Sequence, residues 1–341
     1  MKSSIILLLL VLSGFCSYSQ SIISLQTGRK TSIRGLSVVS NSVAWVSGSN
    51  GWTALSSDAG KSWTWKQVPG YEKFDFRDIE AFSAANAIIV SAGSPAVVLL
   101  TTDSGSNWKE VYRNDSPEIF LDGMDFWDPK NGIIYGDPIQ GKMQLLKTSD
   151  SGLSWQNISH NLNVSLIEGE ASFAASGTAI RCLKNGLTYI VTGGVQSRIF
   201  VSKNFGDTWK VYPCPIIQGR GTTGPFSIAF SNKNKGFAVG GDYQKDTLGI
   251  NNLVFTKDGG KTWKIPHIGP KGFKSAIEFI SSKKIIATGT SGTDISVDGG
   301  KTWNNISNQS YNSVRRAKSG SWILLAGSDG KISELRMDQK R

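Results

Sequence analysis

Cysteine is scarce, with three in 341 residues, and this excludes a small disulfide-stapled scaffold. Histidine is scarcer still: His160 and His267 are the two copies, and neither stands at a metal-ligand spacing, so no metal site is expected. The chain contains no HExxH, CxxC or Gly-x-Ser-x-Gly, and no glycine-rich phosphate loop leading from strand into helix. Zincin, thioredoxin-like, α/β-hydrolase and nucleotide-binding chemistry therefore have no motif to stand on, and no cofactor is expected. No apolar run is long enough to span a bilayer. Charged residues make up only 18%, too few for a disordered or long solvated helical chain. Acids are in deficit, 26 against 37 lysines and arginines, for a net charge of +11. The positive residues are scattered, with no run longer than a pair such as Lys283-Lys284 or Arg315-Arg316. That distribution suits acidic partners and lacks the concentrated footprint of a nucleic-acid binder.

Glycine, by contrast, is abundant, 38 of 341 residues, in a chain that is 39% hydrophobic. The combination describes a globular protein rich in turns. At the amino terminus, Met1-Lys2 precedes the apolar run Ile5 to Leu12, and small residues Ser17 and Ser19 precede Gln20. This reads as a signal peptide over 1–19, with the mature chain exported to the periplasm or beyond. Bulky Phe15 before Cys16 argues against a lipoprotein. Cys182 and Cys214 are then available to pair in an oxidising compartment, although spacing alone does not pair them.

An internal repeat sets the fold. The pattern Ser/Thr-x-Asp-x-Gly-x-x-Trp occurs over 56–63, 101–108, 148–155, 256–263 and 296–303, and a sixth copy over 202–209 has Asn204 in place of the aspartate. The third positions are Asp58, Asp103, Asp150, Asn204, Asp258 and Asp298, separated by 45, 47, 54, 54 and 40 residues. A short carboxylate or amide here can accept backbone N–H groups and hold a turn closed. The glycine supplies a positive φ, and the tryptophan buries a large ring between sheets. Six copies of one position, five acids and an amide, mark scaffolding rather than catalysis. Short alternating strands flank each box, giving a four-stranded antiparallel unit, A to D, with the box as the C–D turn.

Such units repeating every 40–55 residues describe an all-β, seven-bladed β-propeller. The expected blades run about 31–69, 76–113, 120–160, 167–214, 223–267, 272–307 and 311–337, and residues 21–26 add the missing outer strand of the last blade. One domain over 20–341 follows. Antiparallel order puts the A–B turns and the boxes on one face, called face two. The longer loops, Gln156 to Gly169, Tyr212 to Gly224 and Gly240 to Asn251, fall on face one, where binding is expected.

Aligned starts of the A strands form a column at the face-one mouth of the channel: Arg34, Arg77, Asp122, Gly169, Pro225, Lys274 and Asn312. A second column reads Gly35, Asp78, Gly123, Glu170, Phe226, Ser275 and Ser313, with Glu80, Asp125 and Arg315 further in. The B–C loops add Asp137, Asp242 and Tyr243. Arg34, Arg77, Asp122, Asp125, Glu170, Asp242, Tyr243, Lys274 and Arg315 are accordingly the candidate ligand-binding set, suited to a carboxylate, phosphate or acidic side chain. Asp78, Asp122 and Asp137 are the candidates should face one carry out acid–base chemistry on a sugar.

The boxes resemble the Asp-box, or BNR, repeats of sialidases, sortilin-type receptors, xyloglucan-cleaving enzymes and the photosystem II stability/assembly factor propellers. Segments Ser32-Ile33-Arg34-Gly35-Leu36, Phe76-Arg77-Asp78-Ile79 and Ala238 to Tyr243 are most similar to the last group and its secreted bacterial relatives. That resemblance implies a non-enzymatic module binding a protein partner partly through arginines on one face, here Arg34 and Arg77. Other envelope ligands, including an acidic glycan, remain open, as does peripheral envelope association. The sialidase resemblance implies instead three arginines, with Arg198 and Arg315 as further candidates. The Arg-Ile-Pro opening of that family is absent, because Gly35-Leu36 follows Arg34. A glycoside hydrolase acting on an acidic or plant-type glycan is the alternative function.

Overall fold

The computed structural model describes residues 20–337; the expected signal peptide and Cys16 lie outside the described residues. The strands form seven antiparallel sheets arranged as the blades of a propeller. The first blade is β2 (Ile33–Val38), β3 (Ala44–Gly48), β4 (Trp52–Ser56) and β5 (Thr64–Gln67), from the channel outward. The second and third follow the same order. The last blade takes its outermost strand, β1 (Gln20–Gln26), from the start of the chain, where it pairs antiparallel with β28 (Ile332–Met337). Ring closure by the N-terminal strand thus occurs as the sequence led us to expect. β28 is thereby paired on both sides and is not left as an outer edge strand.

Two blades depart from the regular pattern. In the fifth, β19 (Thr223–Phe230), β20 (Gly236–Asp242) and β21 (Leu253–Thr256) are joined on the outside by a single bridge, Phe255 to Lys264. Pro266 follows two residues later and cannot donate to a ladder, which stops the expected fourth strand. In the fourth, the innermost strand is split into β14 (Glu170–Ala171) and β15 (Ile180–Leu183). The eight residues between them leave the sheet.

All six boxes share one hydrogen-bond pattern. The fifth-position N–H donates to the first-position hydroxyl at 2.8–3.0 Å. The seventh-position N–H donates to Oδ1 of the third residue at 2.9–3.0 Å. The N–H of the fourth residue donates to a carbonyl of its own blade's A–B turn, as from Ala59 to Ser42 and from Phe205 to Gly186. The boxes and the A–B turns therefore do share face two. Hydrogen bonds from the Ser62 hydroxyl, and then from its N–H, hold the Asp58 carboxyl down at about 2. A permanently ionised, fully engaged carboxylate is scaffolding. Asn204 completes the same turn without charge, its carbonyl accepting from Thr208 N–H and its amide donating to Thr208 Oγ1.

The fifth-position glycine has a second duty. Each one packs against the blade before it: Gly60 on Trp322, Gly105 on Trp45, Gly152 on Ile88, Gly206 on Ile133, Gly260 on Tyr189 and Gly300 on Phe237. A Cβ at Gly152 would stand 2.3 Å from the Ile88 side chain, and one at Gly300 would stand 2.3 Å from Phe237. Each glycine is also held at positive φ, 80° at Gly152 and 90° at Gly300. Gly70 shares the positive φ, 83°, but faces open space. Replacing Gly152 or Gly300 by alanine is expected to lower unfolding stability by about 2–5 kcal/mol, combining left-handed strain and overpacking. Gly70→Ala bears the strain alone, about 1–2 kcal/mol. Chemical denaturation of the three variants checks this, and equal losses would show that the inter-blade contact is not tight.

Candidate functional site

The excursion in the fourth blade decides the shape of the centre. Residues 172–179, Ser-Phe-Ala-Ala-Ser-Gly-Thr-Ala, are small apart from one phenylalanine, and they cross the channel and bond to its walls. Arg34 of the first blade donates to Ala175 O at 3.2 Å, and Arg315 of the last donates to Gly177 O at 3.1 Å. Ser176 Oγ donates to Ser275 O at 2.8 Å, while Thr178 Oγ1 donates to Ser227 Oγ at 2.6 Å. Ser172 N–H donates to Asp137 Oδ1 at 2.9 Å. Gly177, at φ 65°, lies so close to Asp78 that a Cβ would approach its Oδ1 to 2.2 Å. Every blade thus touches this plug. A channel that would otherwise run through the ring ends blind.

Above the plug, on face one, is a cavity of about 420 Å³. Its charged half comes from the first three blades, through Arg34, Arg77, Asp122 and Asp137. Three of these sit at the same local device, a shift of register between the A and B strands: at Ile33/Gly35, Phe76/Asp78 and Leu121/Gly123. A bulge leaves one residue unpaired and re-aims its side chain. Its opposite half is aromatic. Phe173 of the plug stacks on Phe226 at 3.9 Å, and Phe226 meets Phe273 at 4.7 Å and Tyr243 at 6.1 Å. Tyr243, 46% exposed, forms the rim.

The two arginines are neighbours of like charge. Burial first, and then Arg77, lower the Arg34 pKa, while Asp75 opposes them. Arg77 is steadied by Asp75, with Nε at 2.8 Å from Oδ2, and by the Phe120 ring 5.7 Å from its guanidinium carbon. Neither terminal nitrogen of Arg77 has a protein acceptor among the described residues, so the fork is free for a planar anion.

Asp122 is the opposite case. It is 1% exposed, and neither carboxylate oxygen has a hydrogen-bond partner among the described residues. Burial and the neighbouring Asp137 raise its pKa well above the ordinary carboxylate range, against the pull of Arg77. Burial likewise raises Asp137, although the Ser172 N–H opposes it. The buried Tyr135 hydroxyl close by is also unpartnered.

Other residues expected at this mouth lie elsewhere. Asp78 sits beneath the plug, accepting from Ile79 and Met124 N–H groups at 2.8 Å. Burial pushes its carboxyl up to about 8, even with Arg315 near. It does not line the cavity with Asp122 and Asp137. Asp125 also lies below, bonded to Phe126 and Cys182 N–H groups. Arg315 holds the plug from that same side. Glu170 is fully engaged by Arg198, at 2.8 and 2.6 Å, and by Thr192. Asp242 caps the short turn Tyr243–Lys245. Lys274 is 0% exposed, its ammonium held by Asp294, Ser291 Oγ and Gly292 O. In the fifth and sixth blades the cavity is lined by Phe226 and Ser275, one position beyond Pro225 and Lys274, so the first column slips there by one residue. Three clustered arginines are not assembled. Arg34 and Arg77 stand together, Arg198 is bound to Glu170, and Arg315 is across the plug. Cys182 and Cys214 are both free and buried. Among the described residues no His, Cys, Asp and Glu cluster suits a metal, and no helix is long and apolar enough to cross a membrane.

The plug and the aromatic wall were not anticipated. Blade four spends 54 residues before the next box against 45 for the first, and the small-residue run 171–179 inside its A strand was the available signal.

A raised acid pKa has a defined consequence for stability. The folded state keeps the proton on Asp122 at a pH where the unfolded chain has released it. Its stabilising share is therefore complete below the ordinary carboxylate pKa and is lost as pH rises towards the raised value, at about 1.4 kcal/mol for each unit of difference. Asp122→Asn removes that share, while Asp78 and Asp137 keep theirs. Urea unfolding at pH 5 and pH 8 should show a smaller loss of stability in the variant than in the parent chain. Identical losses would mean that Asp122 is ionised throughout.

Comparison with known proteins agrees with this architecture. Residues 18–117 match the family model described as Photosynthesis system II assembly factor YCF48. Over the whole fold, the structure titled "YCF48 bound to D1 peptide" is 15% identical with a TM-score of 0.65, covering 94% of this chain and 95% of that one. YCF48 from Cyanidioschyzon merolae is 16% identical with a TM-score of 0.66, covering 92% and 98%. The GH74 xyloglucanase of Xanthomonas campestris is 14% identical with a TM-score of 0.59, covering 93% of this chain but 53% of that enzyme. No curated protein sequence matches. The chain is a BNR-type β-propeller that matches the assembly-factor model over residues 18–117 and shares the fold of these solved propellers over nearly all of its length.

Proposed function

We propose that this chain is an exported, non-enzymatic propeller that binds a partner polypeptide in its face-one cavity, seating a carboxylate on Arg34 and Arg77. The observation that carries this reading is the pair of adjacent guanidinium groups, with unused N–H groups, on the wall of a blind cavity. Two like charges held together in a partly dry site cost free energy until an anion arrives. The aromatic half offers apolar area for the residues next to that carboxylate. The family match over residues 18–117 and the peptide-bound state of a similar solved propeller support a polypeptide as the ligand. The leader-like segment 1–19 supports export to the periplasm or beyond.

Glycoside hydrolysis is the second reading, favoured by one observation: Asp122 and Asp137 share the cavity, and Asp137 adds to the burial that raises the proton affinity of Asp122. A peptide display library with free carboxyl ends, selected on the mature chain, separates the two. Peptides rich in terminal or side-chain carboxylates should be enriched, and an Arg34→Ala/Arg77→Ala variant should hold them roughly tenfold or more weakly. Incubation with acidic and plant-type glycans should release nothing. Oligosaccharide release that is abolished by Asp122→Asn or Asp137→Asn, with no peptide retained, would replace the binding reading with the hydrolase.

A further inference from the structure

The cavity that accepts an anion on one wall holds an unexplained acidic pair on another. Asp137 is half-buried at the cavity and uses Oδ1 to accept the Ser172 N–H. Asp122 lies behind it at the cavity wall, 1% exposed, and neither of its oxygens is satisfied by any donor among the described residues. Structural carboxylates elsewhere in this protein are treated differently. Asp78, Asp125 and Glu170 are each met by two or more donors. A buried carboxyl lacking every partner in the free protein costs stability and is a group awaiting a donor from outside.

Resting on the peptide-binding reading above, we propose that Asp137 and Asp122 form an acidic subsite for a protonated primary amine of the bound chain, beside the carboxylate site of Arg34 and Arg77. The cavity would then read a ligand by two charges of opposite sign a few bonds apart. The groups facing Asp122 are Asp137, at the register shift between Gly136 and Pro138 within β11 (Gly132–Ile139), Tyr135 on the same strand, and Arg77 from β6 (Asp75–Ala81). In the free protein burial, and then Asp137, keep the Asp122 proton in place against the pull of Arg77. An arriving ammonium favours the ionised pair, so that proton passes from Asp122 to solvent as the amine binds. The same arrangement discriminates against a purely anionic ligand, which would meet Asp137 as a like charge.

Three tripeptides with free carboxylates test this by NMR titration of the full mature chain. One is acetylated and carries a lysine side chain, one has a free amino terminus and norleucine, and one is acetylated with norleucine. The first two offer the amine from different sources, and the third offers none. At least one amine-bearing peptide should bind roughly tenfold or more tighter than the third. That preference should vanish in Asp137→Asn and in Asp122→Asn, whose amide oxygens preserve shape and, at position 137, the bond from Ser172. Binding of the third peptide should survive both substitutions and fail in Arg34→Ala/Arg77→Ala. Thermal unfolding of each variant confirms that it is folded. Equal affinity for all three peptides, or a preference that outlasts both asparagine variants, would overturn the subsite while leaving the arginine site standing. Failure of all three to bind, or arginine-independent binding of the third, would overturn the peptide-binding reading and the subsite with it.

Discussion

The contact between a box glycine and the preceding blade is the constraint on which the ring depends. A propeller closes only if every blade meets its neighbour at nearly the same distance and angle, because an error in one interface accumulates around the ring. Here six interfaces are gauged by one device: a glycine with no side chain, held at positive φ by hydrogen bonds within its own box, pressed on a large residue near the start of the neighbour's B strand. The join between the last blade and the first, where Gly60 meets Trp322, is also covalently continuous, because β1 (Gln20–Gln26) completes the last blade beside β28 and leads into the first. Uniformity on face two leaves face one free to vary.

A seven-bladed ring leaves an axial channel, and this chain fills its own. The segment 172–179 forms hydrogen bonds or close contacts with all the blades, so its position is over-determined by the ring. Two chemical compartments result. Below the plug, Asp78 and Asp125 are consumed by backbone N–H groups of the strands, and Arg315 by the Gly177 carbonyl. Above it, Arg34, Arg77, Asp122 and Asp137 have capacity left over. The functional reading comes from that unequal satisfaction, since residues of the same type serve scaffold on one side and recognition on the other.

What was legible from sequence follows from how local each determinant is. The boxes are read directly because a turn of eight residues contains its own hydrogen-bond partners and appears six times. Arg34, Arg77 and Asp122 align because the first three blades share one bulge position. Blade five has the same shift at Pro225/Ser227, so its bulge residue is Phe226, one beyond the aligned Pro225, while in blade six Lys274 turns inward to Asp294 and Ser275 lines the cavity. Blade five loses its outer strand to Pro266, a breaker visible in the sequence. The plug was hidden for the opposite reason: its partners are distant in the chain, and a run of small residues carries no periodicity to betray a channel crossing.

Hydrogen–deuterium exchange of the mature chain, free and bound to a selected carboxylate-bearing peptide, tests the central claim most directly. The account predicts slowed exchange at the starts of the first three A strands, in the plug over 172–179 and in the loop carrying Tyr243, with the box turns of face two unchanged. Protection concentrated on the box turns, with the plug and the Arg34 and Arg77 segments unaffected, would contradict it.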